Sequence, residues 1–99
     1  MCEFKIINQA DSTQIAEDIL ILSYTDNDEL VLKDVLGMGV KLDSALILDV
    51  NTVNQKCRVI QHPLIKDFIS LIKNITNNEV NLEQIENFQR SIEKIKEKI

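Results

Sequence analysis

Residues 56–75, KCRVIQHPLIKDFISLIKNI, contain the change of hydrophobic period on which the fold reading turns. Up to Gln61 the segment reads as a short strand. After His62 the repeat lengthens to 3.6 residues, with Pro63 suited to a first helical position and Leu64, Phe68, Leu71 and Ile75 recurring on one face. The chain therefore divides near residue 62 into a strand-rich part, 1–62, and a helical part, 63–99.

Toward the C-terminus, the spacing predicts a helix over 63–76, broken by Asn77 and Asn78. Asn81, followed three residues later by Gln84, reads as a helix cap with a reciprocal partner, so a second helix begins at Leu82. In it Ile85, Phe88, Ile92, Ile95 and Ile99 are spaced 3, 4, 3 and 4, a seam of coiled-coil type. The first helix is the cheapest cover for that seam, because a short loop makes antiparallel neighbours at little entropic cost. Dimerisation through the seam is the alternative.

Toward the N-terminus, Cys2, Phe4 and Ile6 alternate with Glu3 and Lys5, the period of a half-buried strand over residues 2–9. A turn at Asp11, Ser12 and Thr13 leads to a second strand over about 16–24, in which Ile19 to Leu22 are continuously apolar. A third strand spans 30–36, and Gly37-Met38-Gly39, which holds both glycines of the protein, marks a corner. Strands at 40–43, 45–50 and 56–61 follow, with 51–55 as the last hairpin loop. About six short strands are best protected at their edges by closing, so the pattern predicts a small antiparallel SH3-like or Sm-like barrel, mainly β, followed by a C-terminal α-helical hairpin. An open meander is the other arrangement.

The 99 residues allow one modest core plus an appendage. The net charge of -5 is unevenly placed: residues 1–62 carry ten Asp/Glu against five Lys/Arg, and residues 63–99 carry six of each. This acidity opposes nucleic-acid binding, which depends on neutralising phosphates. Lys41, Lys56 and Arg58 offer only a small basic strip, and Trp is absent. Two cysteines make no disulfide framework, no run approaches a membrane span, and nothing at the start has the order of a secretory leader. The expectation is a cytoplasmic, reducing compartment.

Cys2 is the most informative residue. A thiolate beside main-chain nitrogens offers a short chelate of sulfur and nitrogen donors, suited to Ni(II) or Cu(II) in square-planar geometry. One chain supplies too few ligands, and a twofold dimer pairs two copies at one axis. The plainer reading is a small buried hydrophobe in line with Phe4 and Ile6. Cys57 is a second candidate ligand if the last strand lies beside the first, and otherwise a buried strand residue. His62 is either a ligand or a junction residue. Asp26, Asp28 and Glu29 lack the spacing of a calcium loop, and Asp34 and Asp49 read as turn or outward-facing residues without any nucleophile-base pair. No phosphate-cradling loop is present, because Gly37-Met38-Gly39 lacks the lysine and further glycine one requires.

Taken together, Met1-Cys2-Glu3, Glu17-Asp18-Ile19, the segment from Leu32 to Gly37, Val40, Leu48-Asp49-Val50 and the strand from Cys57 to Ile60 resemble the CooT family of small nickel-binding proteins, some of which are catalogued as predicted RNA-binding. The resemblance covers about residues 1–62. It implies a small β-barrel homodimer holding one Ni(II) between subunits through the cysteine after the initiator methionine, here Cys2, and serving nickel supply or maturation of a client such as carbon monoxide dehydrogenase. Met38, where an acidic residue is expected, and the helical hairpin depart from the family pattern. The sequence reading is thus a cytoplasmic, non-enzymatic nickel-binding homodimer. A metal-free RNA-binding or protein adaptor barrel is the alternative.

Overall fold

A computed structural model describes residues 3–99. Seven strands precede two helices: β1 (Phe4–Asn8), β2 (Gln14–Ile19), β3 (Ile21–Tyr24), β4 (Leu30–Lys33), β5 (Gly39–Leu42), β6 (Ala45–Asn51), β7 (Lys56–Gln61), α1 (Pro63–Thr76) and α2 (Leu82–Glu97). The strands form a four-stranded sheet in the order β2-β1-β7-β6 and a three-stranded sheet in the order β3-β4-β5.

Two features of this arrangement correct the sequence reading. The strands do not close into a barrel, and they are not all antiparallel: β1 and β7 run parallel, with Ile6 opposite Cys57 and Asn8 opposite Val59. The long second strand is two strands. Asp18 sits at φ +59°, and the pairing of β1 with β2 is irregular, Phe4 facing Ile19 but Ile6 facing Ala16. This bulge bends the chain. Leu20 then leaves the four-stranded sheet, its N–H donating to the Lys33 carbonyl at 2.9 Å, and β3 continues in the other sheet. Where a ladder would have closed the structure, a single side chain reaches across: the Tyr24 hydroxyl donates to the Ala45 carbonyl (2.9 Å) and accepts from the Ile47 N–H (3.3 Å).

Both sheets share one core. Ile6, Ile19, Ala45, Cys57 and Val59 from the larger sheet meet Leu30 and Leu32 from the smaller, with Phe4, Ile15, Leu22, Leu42 and Ile47 packed around them. Inward residues alternate with outward Lys5, Lys56 and Arg58, as strand geometry requires. The β3–β4 loop is a hairpin, closed by the Thr25 N–H on the Glu29 carbonyl (2.9 Å). The third strand ends at Lys33, three residues before its expected end, because the Asp34 side chain begins a turn there.

The helical part falls where the sequence placed it. His62 is the N-cap of α1, Asn81 caps α2, and Pro63 opens α1. Gln84 does not reach back to its cap as a reciprocal box would; its side chain bonds Asn74 (2.9 Å) and Ser70 (3.4 Å) of α1, tying the hairpin together. Phe68 and Phe88 meet with ring centroids 6.1 Å apart.

The hairpin docks on its own sheets through α1. Ser44 Oγ donates to the His62 carbonyl and accepts from the Lys66 N–H at 2.9 Å. Lys73 Nζ reaches the nearly buried carboxylate of Asp28 at 2.7 Å. Leu71 is the buried apolar residue of α1, whereas α2 buries none. Among the described residues no helix is long and apolar enough to cross a membrane.

Candidate metal site and the surface around it

Cys2 lies outside the described residues. The described chain begins at Glu3 and enters β1 at Phe4. β1 begins at Phe4, opposite Ile19, the last residue of β2; Leu20 bonds Lys33, and Lys33, the last residue of β4, opens the turn to β5. The start of β1 and the β4–β5 turn thus share one end of the molecule.

The other candidate ligands are engaged elsewhere. The parallel pairing does bring β7 beside β1, but Cys57 faces Ile6 inside the core and is fully buried. Burial pushes its thiol above the ordinary value, and the Asp49 carboxylate adds to the rise. A buried thiol held in its neutral form is a poor ligand, since the thiolate is what binds metal. His62 uses its Nδ1 to accept the Leu64 N–H at 3.1 Å, which leaves Nε2 to carry the proton of the neutral ring. Its role is helix capping.

The carboxylates are likewise committed. Asp34 accepts from the Leu36 and Met38 N–H groups at 2.9 and 3.0 Å, which makes it the organiser of a turn. Asp49 on β6 accepts from Arg58 Nε on β7 at 2.8 Å, and this bond holds its carboxyl below the ordinary value while raising the guanidinium. Arg58 also donates to Gln9 at 2.9 Å. Asp28 pairs with Lys73, and its loop partners Asp26 and Glu29 form no cage with it. Among the described residues no three His, Cys, Asp or Glu side chains converge as a metal site. The basic strip does not assemble either, because Lys41 stands on β5 of one sheet and Lys56 and Arg58 on β7 of the other.

Two surfaces are apolar and exposed; the sequence reading missed the first and predicted the second as a seam in need of cover. The first is the β4–β5 turn, where Val35, Leu36 and Met38 are 63, 79 and 67% exposed. They were read as strand and corner; the signal available was Asp34 followed three residues later by Gly37, the pattern of a turn closed by a side chain. The second is the helical hairpin. Phe68, Ile72 and Ile75 of α1 and Ile92 and Ile95 of α2 are exposed, beside a shallow groove of about 270 Å³ lined by Leu46, Leu64, Ile65, Phe68, Ile69 and Phe88. The first helix covers only part of the seam: α2 runs nine residues past Phe88, whereas five residues of α1 precede Phe68. No protein-family model matches the chain, and no curated protein is significantly similar to it.

Proposed function

We propose that this chain is a CooT-like nickel carrier, a homodimer in which the Cys2 thiolates of two copies, with main-chain nitrogens beside them, hold one Ni(II) as cargo for a nickel enzyme in the cytoplasm. The observation that supports it most is the burial of the other cysteine. Cys57 is sealed in the core with its thiol kept neutral. His62 and the described carboxylates are bonded to the fold or lie apart. This leaves Cys2, the residue on which the family resemblance rests, as the soft donor for a metal. A site built from one residue of each chain suits delivery, because separating the copies releases the ion. The role needs no catalytic group.

The test is a titration of reduced, full-length protein with Ni(II), following thiolate-to-metal absorption in wild type and Cys2→Ala. Saturation at one ion per two chains, absent in the variant, is the expected result. Equal behaviour of the two proteins rules the reading out.

A second reading, a protein adaptor, draws on the exposed apolar stripe of the helical hairpin, a surface larger than scattered single residues would make. It predicts that Ile92→Lys abolishes partner capture while Cys2→Ala changes nothing.

A further inference from the structure

Every N–H at the start of α1 has an acceptor, and His62 supplies two of them. The His62 N–H donates to the Ser44 carbonyl at 3.1 Å, Pro63 has no N–H, and the Ile65 N–H donates to the His62 carbonyl at 3.0 Å. The Lys66 N–H donates to Ser44 Oγ at 2.9 Å, and the Leu64 N–H to His62 Nδ1 at 3.1 Å. No Asp or Glu stands in the first turn to balance the positive end of the helix dipole. The Leu64 bond therefore depends on a lone pair that a proton can take. The usual N-caps, Ser, Thr, Asp and Asn, accept throughout the neutral range, whereas an imidazole accepts at Nδ1 only while that nitrogen is bare. His62 is the single histidine of the chain, the residue type whose charge ordinarily changes between about pH 5 and 8.

From this we infer that His62 is a proton-operated cap: the neutral ring closes the first turn of α1, and the imidazolium leaves it for the carboxylates of Asp43 and Asp67. Nickel plays no part in it. The second position lies beside the first, because Asp43, before β6, and Asp67, on α1, line one open hollow of about 430 Å³ with His62. The third charged group there is Lys66, whose Nζ lies 3.6 Å from Asp43, so the imidazolium competes with it for that carboxylate. Gln61, the neighbour on β7, is neutral and donates to the Asp43 carbonyl at 3.0 Å. The sign follows from the sizes of the effects. Protonation removes the cap and sets a cation on the positive end of the helix, and both count against the folded form; an ion pair in a solvated hollow returns less. The capped state binds no proton at Nδ1 while the unfolded chain does, so the stability is present above the histidine range, near about 6.5, and is lost as pH falls through it. Leu64 and Ile65 of the same turn line the apolar groove of the hairpin, so acidification loosens the helix start at that groove.

The experiment is thermal unfolding by circular dichroism between about pH 8 and 5.5, spanning the histidine range, on full-length wild type, His62→Asn, His62→Ala and Asp43→Asn/Asp67→Asn. NMR of the His62 ring nitrogens and the Leu64 amide accompanies it. Asparagine caps without titrating, so His62→Asn is expected to match wild type at the alkaline end and to melt about 4–8 °C above it at the acid end. His62→Ala, uncapped throughout, should lie about 4–8 °C below wild type at the alkaline end and approach it in acid. Asp43→Asn/Asp67→Asn should lose more than wild type on acidification, because the released imidazolium then finds no carboxylate. In wild type Nδ1 is expected to be the bare nitrogen of the neutral ring, and the Leu64 amide to shift with the ring in one titration. Wild type and His62→Asn changing in parallel with pH, a Leu64 amide indifferent to the ring, or a neutral ring protonated at Nδ1 overturns the proton-operated cap. An acid loss unchanged in Asp43→Asn/Asp67→Asn overturns the move to the carboxylates. The NMR readouts decide the matter in wild type even where a variant fails to fold.

Discussion

The two glycines, two residues apart, are required for different physical reasons, and replacing each by alanine separates them. At Gly37 a Cβ meets nothing within 4 Å, but the backbone is at φ +80°. Gly37→Ala therefore costs only the left-handed penalty, about 1–2 kcal/mol. For a domain of this size that lowers the melting temperature by roughly 5–15 °C. Gly37→Asn should cost less, since asparagine tolerates this region. At Gly39 a Cβ would lie 1.6 Å from the Leu32 carbonyl oxygen and 2.7 Å from its carbon. Ordinary contact needs about 3.5 Å, so the β4 and β5 backbones must part by about 2 Å. No rotamer relieves this, because the obstacle is backbone. β4 carries Leu30 and Leu32, both fully buried, so parting it from β5 opens the core. Gly39→Ala should lose more than about 4 kcal/mol, a large share of the stability of a small domain. Urea unfolding followed by circular dichroism reads both. If Gly39→Ala is no less stable than Gly37→Ala, the described pairing of β4 with β5 is wrong.

Three further outcomes are expected. In a Cys2→Ala background no thiol should react with a disulfide reagent until the protein is unfolded, because Cys57 is buried and kept neutral; rapid labelling of the native protein contradicts this. Asp49 has its folded pKa below the ordinary 3.8, through its bond to Arg58, so its contribution is present above that value and is lost as pH falls through the lower folded pKa. The urea midpoints of wild type and Asp49→Asn should therefore differ near neutral pH and converge in acid; a gap that widens below 3.8 reverses the sign and refutes it. Lys73→Met leaves the nearly buried Asp28 carboxylate without its partner and should cost about 1 kcal/mol, the lysine being half exposed. The double variant with Asp28→Asn should recover part of that loss, and strict additivity of the two changes would argue against the pairing.

The helices were legible because their signals are local. Pro63, the Asn77-Asn78 break and Asn81 each act within a turn of the helix they bound, and the ends fell where they predict. Strand existence was legible for the same reason, through period-2 alternation. What escaped was set by distant residues or by single side chains. The apolar run from Ile19 to Leu22 reads as one covered strand, yet Ile19 is buried and Ile21 is half exposed, because Leu20 turns the chain toward Lys33 in the other sheet. The parallel pairing of β1 with β7 joins residues some fifty positions apart, and no local pattern encodes it. Closure failed for a similar reason: Tyr24 bridges to β6 with one hydroxyl where a ladder was expected. At the candidate site, the sequence raised Cys57 as a second candidate ligand and His62 as a ligand or junction residue, and only their surroundings, a closed core and a helix cap, decide their roles. The exposed turn at residues 34–38 was hidden because apolar residues beside a strand look like more strand.

The most direct measurement of the central claim is native mass spectrometry of full-length protein loaded with a slight excess of Ni(II), beside Cys2→Ala. The account predicts a dimer carrying a single nickel, with the variant carrying none. Nickel on the monomer, or nickel retained by Cys2→Ala, contradicts it.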